Sequence, residues 1–186
     1  MANLDALTTS DELRVKIAVV IVVALVVFLL TRDLLLTTVL MLITLLAYQA
    51  TMGMTAIIFV NVLGYPAINW EVKMFAFVIL MAVGQDYNLF LISRLLEERQ
   101  KHGLRAAIRN SMVRTGGIIS SCGLITAVSL GSLVASGQFY LAQLGFALAM
   151  GTLMDTFLVR PFLLPALLVI LGRPARETAH GSVLTR

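Results

Sequence analysis

Charge is scarce in this chain. Only 13% of the 186 residues are charged while 59% are hydrophobic, where a soluble domain carries about 25% charged residues. So few polar groups cannot cover the apolar surface, which excludes both a water-soluble globule and a disordered chain. Cys122 is the single cysteine, so an intrachain disulfide and a Cys-based metal cluster are both excluded. His102 and His180 lie far apart and form no metal-ligand spacing. Aromatic residues are sparse among the basic ones, which argues against nucleic acid as a partner. Ser120 and Ser121 have no histidine near them, and Gly116-Gly117 lacks the lysine and strand–helix context of a phosphate loop. No catalytic residue, metal site or enzyme activity is expected.

Long apolar runs are what the sequence does have. A spanning helix needs about 20 mostly apolar residues, and five segments approach that length. The spans are read at about 14–31, 34–53, 73–93, 115–135 and 141–160, with an apolar tail at 162–171. Ser10 is the expected N-cap of the first, with Asp11 and Glu12 suited to the positive end of the helix dipole. Arg32-Asp33 is a polar break, and spans joined so tightly must form an antiparallel hairpin. Residues 55–63 suggest a separate short interfacial helix, closed by the turn signal Gly64-Tyr65-Pro66. Tyr65 and Trp70 suit a membrane–water boundary. Arg160-Pro161 is expected to interrupt the last span. The expected fold is all-α, a membrane bundle of five transmembrane helices. Residues 1–13 form an N-terminal extension, 14–172 the transmembrane domain, and 173–186 a polar tail.

Basic residues orient it. One side receives Arg32, six residues of the 94–114 stretch, and Arg173, Arg176 and Arg186, ten in all; the other receives Arg14, Lys16 and Lys73. Cytoplasmic loops carry the excess of Lys and Arg, so the 94–114 loop and the C-terminus are placed in the cytoplasm. The protein is expected in the inner (plasma) membrane, multi-pass, with membrane lipids around it.

Asp86 is the most informative residue. It lies 13 positions after Lys73, about 20 Å along a helix in an apolar slab about 30 Å thick. A charge near the midplane costs about 2.5–3.5 kcal/mol on insertion scales. Two readings are open: a structural carboxyl bonded to a neighbouring helix, or a group that takes up and releases protons. Gly84, Gln85, Tyr87 and Asn88 form a polar knot around it, with hydroxyl and amide groups able to stabilise a proton. Asp155, about 21 Å along the fifth span, is read either as an ion-pair partner of Arg160 or the 94–114 loop, or as a second relay group. Gly123, Ala127 and Gly131 form a small-residue ridge at spacing four, suited to close helix packing.

Several ordered motifs together carry a resemblance. Gly84-Gln85-Asp86-Tyr87-Asn88 is followed by Leu89-Phe90-Leu91-Ile92-Ser93-Arg94 and by Glu97-Glu98; further on come Ala107-Ile108, Thr115-Gly116-Gly117 and the run from Gly151 to Pro161. Together they resemble the C-terminal transmembrane half of MmpL-type transporters of the RND superfamily. The resemblance implies a proton-driven exporter of lipids or other hydrophobic molecules, powered by the proton-motive force and needing no cofactor. It implies Asp86 as proton carrier, Tyr87 as its hydrogen-bonding neighbour, Gly84 as a point of helix approach, and Asn88 and Asp155 in supporting places. It also implies a fragment that does not transport alone, residues 1–13 being the remnant of a preceding segment. Its partners would be the missing N-terminal half or other transporter chains. The alternative is a non-transporting integral membrane scaffold or assembly subunit.

Overall fold

The structure, a computed structural model, describes residues 2–99, 104–163 and 166. Five long helices make up the bundle: α1 (Ala2–Thr31), α2 (Leu34–Ala56), α3 (Trp70–Arg99), α4 (Leu104–Gly131) and α5 (Phe139–Met154). No strand occurs among the described residues. α2 runs on through a wider π-helical turn at Ile57–Val62, α4 tightens into a 3₁₀ turn at Ser132–Ser136, and α5 continues as π-helix over Asp155–Leu163.

Three boundaries differ from the expectation. α1 starts at Ala2, so Ser10 and Asp11 lie inside the helix and Ser10 is not its cap. No glycine or proline stands before Thr31 to stop it. The separate interfacial helix at 55–63 does not exist. The chain stays helical through Val62, and the stop comes at Gly64, whose φ of 74° lies where glycine alone is unstrained. Pro161 does not end the last helix either. In an α-helix its ring would clash with the carbonyl four residues back; the π register pairs residues five apart and accommodates it. The apolar tail beyond 163, apart from residue 166, and the polar tail 173–186 lie outside the described residues.

The α1–α2 connection is two residues long. Arg32 takes a left-handed conformation (φ 50°) that turns the chain out of α1. Asp33 then caps α2, its Oδ1 accepting from the backbone N–H of Leu35 at 3.0 Å and of Leu36 at 3.3 Å. Thr31 and Thr37 hydroxyls meet across the hairpin at 3.0 Å.

Among the described residues, four helical stretches are long and apolar enough to cross a membrane: 12–31, 34–62, 116–136 and 139–163. α3 is the helix they surround, packing against α1, α2, α4 and α5. At 30 residues it is about 45 Å long, longer than an apolar slab of about 30 Å. Its buried residues, Val72, Ala76, Phe77, Leu80, Met81, Gly84 and Gln85, repeat at three- and four-residue steps along one face. Met41 and Tyr48 of α2 and Leu144, Ala147 and Leu148 of α5 complete this core. Tyr48 packs edge-on to Phe77 at 5.1 Å between ring centroids, and its hydroxyl donates to the Lys73 carbonyl at 2.9 Å. Most of the apolar outer face of α1, including Ile21, Leu25 and Leu29, is exposed.

Small residues bring α4 and α5 together, because packing rather than water exclusion holds membrane helices side by side. A Cβ added at Gly123 would lie 2.7 Å from Thr156 Cγ2, and one at Gly131 would lie 3.2 Å from the Ala149 Cβ. Ala127 is buried between them. A Cβ at Gly116 or Gly117 would meet nothing within 4 Å. Gly123→Leu is therefore expected to destabilise the bundle by about 1–3 kcal/mol through overpacking. A thermal melt in detergent reads this, with Gly116→Leu as the control that changes little. An unaltered melt for Gly123→Leu would mean that the ridge does not set the α4–α5 contact.

Candidate functional site

A polar seam runs through the bundle interior where α2, α3 and α5 meet. On α2 it begins with threonines seven residues apart, Thr37, Thr44 and Thr51, followed by Thr55, all buried. Seven residues are nearly two helical turns, so the spacing keeps the hydroxyls on one face. Thr44, Thr51 and Thr55 each donate to the carbonyl four residues back, at 2.8–3.0 Å. This lets a hydroxyl sit in an apolar interior with its proton already bonded. On α3, Gln85 is buried and its Nε2 donates to Thr44 Oγ1 at 2.8 Å. On α5 and its extension the seam holds Thr152, Asp155, Thr156 and Arg160, all buried.

Asp155 and Arg160 form a buried ion pair, Arg160 donating through one terminal guanidinium nitrogen to Asp155 Oδ2. Residues five apart face different directions on an α-helix, whereas the π register bonds residue i to i+5 and brings them to one side. Of the two sequence readings of Asp155, the pairing with Arg160 is thus what the geometry contains.

Asp86 stands differently. Gly84 and Gln85, the residues before it, are buried, and Asp86 itself is exposed. A helix turns about 100° per residue, so the step from Gln85 carries the carboxyl out of the packed face. The four other helices of this chain do not desolvate it, contrary to what a midplane position alone suggests. Gly84 sits where α3 approaches α2 closely: an added Cβ would lie 3.2 Å from Thr44 Cγ2. The Tyr87 and Asn88 side chains lie outside the described residues, as do all the charged side chains of the 94–114 stretch.

The sequence reading missed the Thr44–Gln85 bond and the role of Gln143. Gln143 is fully buried at the start of α5. It donates to the Ala67 carbonyl and accepts from the Asn69 N–H, both at 3.2 Å, so it pins the α2–α3 loop. The available signals were a lone amide inside an apolar run and the heptad spacing of threonines. Tyr65 and Trp70 are both partly open, and the Tyr65 ring stacks on Phe139 at 4.2 Å.

Comparison with known proteins agrees with this architecture. Residues 1–182 match the MMPL family. MmpL12 of Mycobacterium tuberculosis, named as a transport protein, is 37% identical over 164 residues, covering 88% of this chain and 14% of that protein. MmpL6 of the same organism, also named as a transport protein, is 36% identical over 165 residues, covering 89% of this chain and 41% of that protein. The apo-petrobactin exporter of Bacillus anthracis is 33% identical over 167 residues, covering 90% of this chain and 22% of that protein. The chain spans less than half the length of each of these relatives. A multi-pass helical bundle whose sequence is matched almost from end to end in this way belongs to the MMPL family.

Proposed function

We propose that this chain is the membrane portion of a proton-driven RND/MmpL-like exporter of lipids or other hydrophobic molecules. It acts with the rest of a longer transporter or with other chains, and corresponds to the C-terminal transmembrane half. The observation that carries the proposal is the placement of Asp86. An acid sits on the central helix, beside a tightly packed Gly84–Gln85 step, yet faces away from its own bundle. That is the position from which a carboxyl can meet groups on a second bundle. Tyr87 is proposed as its hydrogen-bonding neighbour and Asn88 as a supporting group. The relatives named as transport proteins and as an exporter support an export role. The apolar outer surface suits hydrophobic cargo that moves within the lipid.

The energy source proposed is the proton-motive force, with no other cofactor. A charge crossing the membrane gains about 2.3 kcal/mol per 100 mV. The test is export from reconstituted vesicles holding an assembly that contains this chain. Export is expected to stop when the proton gradient and potential are collapsed; undiminished export overturns the reading and favours a scaffold role.

The location proposed is the inner (plasma) membrane with the C-terminus in the cytoplasm, on the basic-residue bias described above. Cysteine substitutions at Val60, His102 and Thr178 test it by accessibility labelling of intact cells. Position 60 is expected to label from outside, and 102 and 178 only after permeabilisation. Outside labelling at 102 would invert the topology.

A further inference from the structure

The polar seam contains a small void that neither the ion pair nor the Thr44–Gln85 bond fills. Its volume is about 20 Å³, and it is lined by Thr44, Ala47 and Thr51 of α2, Gly84 of α3, Gly151 and Thr152 of α5, and Asp155 just beyond α5. The two glycines keep it narrow. A Cβ on Gly84 would press on Thr44, and one on Gly151 would press on Leu80 and Thr51. One water needs about 10–15 Å³ by this measure together with two to four polar partners.

The partners are present. Thr152 is 3% exposed, and its Oγ1 has no hydrogen-bond partner. The Thr44 and Thr51 hydroxyls have spent their protons on their own helix, at 3.0 and 2.8 Å, and each oxygen still has acceptor capacity. Asp155 gives one oxygen to Arg160, and a carboxylate has about four lone-pair sites. Cavities that stay dry are apolar throughout; this one has an apolar side formed by Ala47, Leu80 and Val83, and it is also lined by three threonines and Asp155.

We propose that the void binds one internal water, which accepts from the Thr152 hydroxyl and donates to Asp155 and to the Thr44 oxygen of α2. A cation is the wrong occupant. Arg160 already balances the carboxylate, so a metal ion would leave a buried positive charge, and the space admits no hydration shell. With the water in place, the α5 ion pair and the α3 segment next to Asp86 belong to one hydrogen-bonded unit, because Thr44 also accepts from Gln85. The site depends on the packed bundle alone, so it stands or falls separately from the export reading.

Water-edited solid-state NMR of the labelled chain in lipid bilayers tests it. Magnetisation from water is expected to reach Thr152 and Gly151 as quickly as it reaches Gly137 in the exposed loop. It should not reach Leu148, one turn away and 1% exposed. Ala47→Val narrows the void and is expected to abolish the transfer at Thr152 and leave Gly137 unchanged. Thr152→Val is expected to remove it at Gly151. Transfer at Thr152 and Gly151 as slow as at Leu148 in the unaltered chain overturns the proposal. Fast transfer at Leu148 as well overturns it too, because it would show water throughout the bundle rather than at one site.

Discussion

Asp86→Asn is expected to abolish export in an assembly that contains this chain, while insertion and folding persist. The exchange keeps the size of the side chain and removes its ability to gain and lose a proton. In most buried sites such a change would confound function with stability. Here the two separate. Asp86 is exposed, while Gly84 and Gln85 hold α3 in place, and substitutions at exposed positions usually stay within about 0.5 kcal/mol. A loss of export with an unchanged melting profile would therefore report the carboxyl's chemistry. Gln85→Leu offers the opposite contrast. It removes the α3 donor to Thr44 inside the seam, so it is expected to act through stability. Tyr87→Phe should impair export less than Asp86→Asn where water or another donor replaces the phenol. The measurement is proton-coupled export from vesicles together with a thermal melt. Full export by Asp86→Asn would eliminate the relay and leave a structural role for the residue.

Arg160→Met is expected to be the most destabilising single substitution in the bundle. Arg160 is 3% exposed and is paired with an Asp155 that is itself buried. Removing one partner of a buried pair costs about 3–5 kcal/mol, because the other charge is left without compensation. Replacing both members costs far less, since two desolvation penalties disappear with the lost attraction. Asp155→Asn with Arg160→Met should therefore recover most of the stability lost in Arg160→Met alone. Melts of the single and double variants in the same detergent test this. Equal stability of Arg160→Met and the unaltered chain would show that the pair contributes nothing. The double variant also bears on the second reading of Asp155: normal export by it would confine that residue to a structural role.

Much of this protein follows from its sequence alone. Apolar runs of spanning length can be stable in few other places, so the membrane class and the helical fold were legible residue by residue. Arg32-Asp33 was readable as a break because two charged residues cannot continue a lipid-facing helix. The resemblance carried by Gly84–Asn88 and the later motifs led to the MMPL family, to which the chain belongs. The helix ends were less legible. Pro161 and the 55–63 stretch look like interruptions under an α-helical rule, and a π register removes the conflict.

Tertiary structure decided which way each polar group faces. Position along a helix sets depth in the membrane, and that can be counted from sequence. Direction around the helix depends on where the neighbours stand, and in a chain this apolar only the threonine spacing of α2 hints at it. Asp86 and Gln85 are adjacent in sequence at nearly the same depth, yet one is exposed and the other is bonded to Thr44 inside the bundle. Asp155 was matched to Arg160 only once a wider helical turn had brought residues five apart onto one side. The sequence by itself determined that this is a helical membrane bundle. The π-helical turn after α5 decided that Asp155 is held in an ion pair, and the packing of α3 among its neighbours decided that Gln85 is buried and Asp86 exposed, because burial is a property of the assembled helices and not of any one of them.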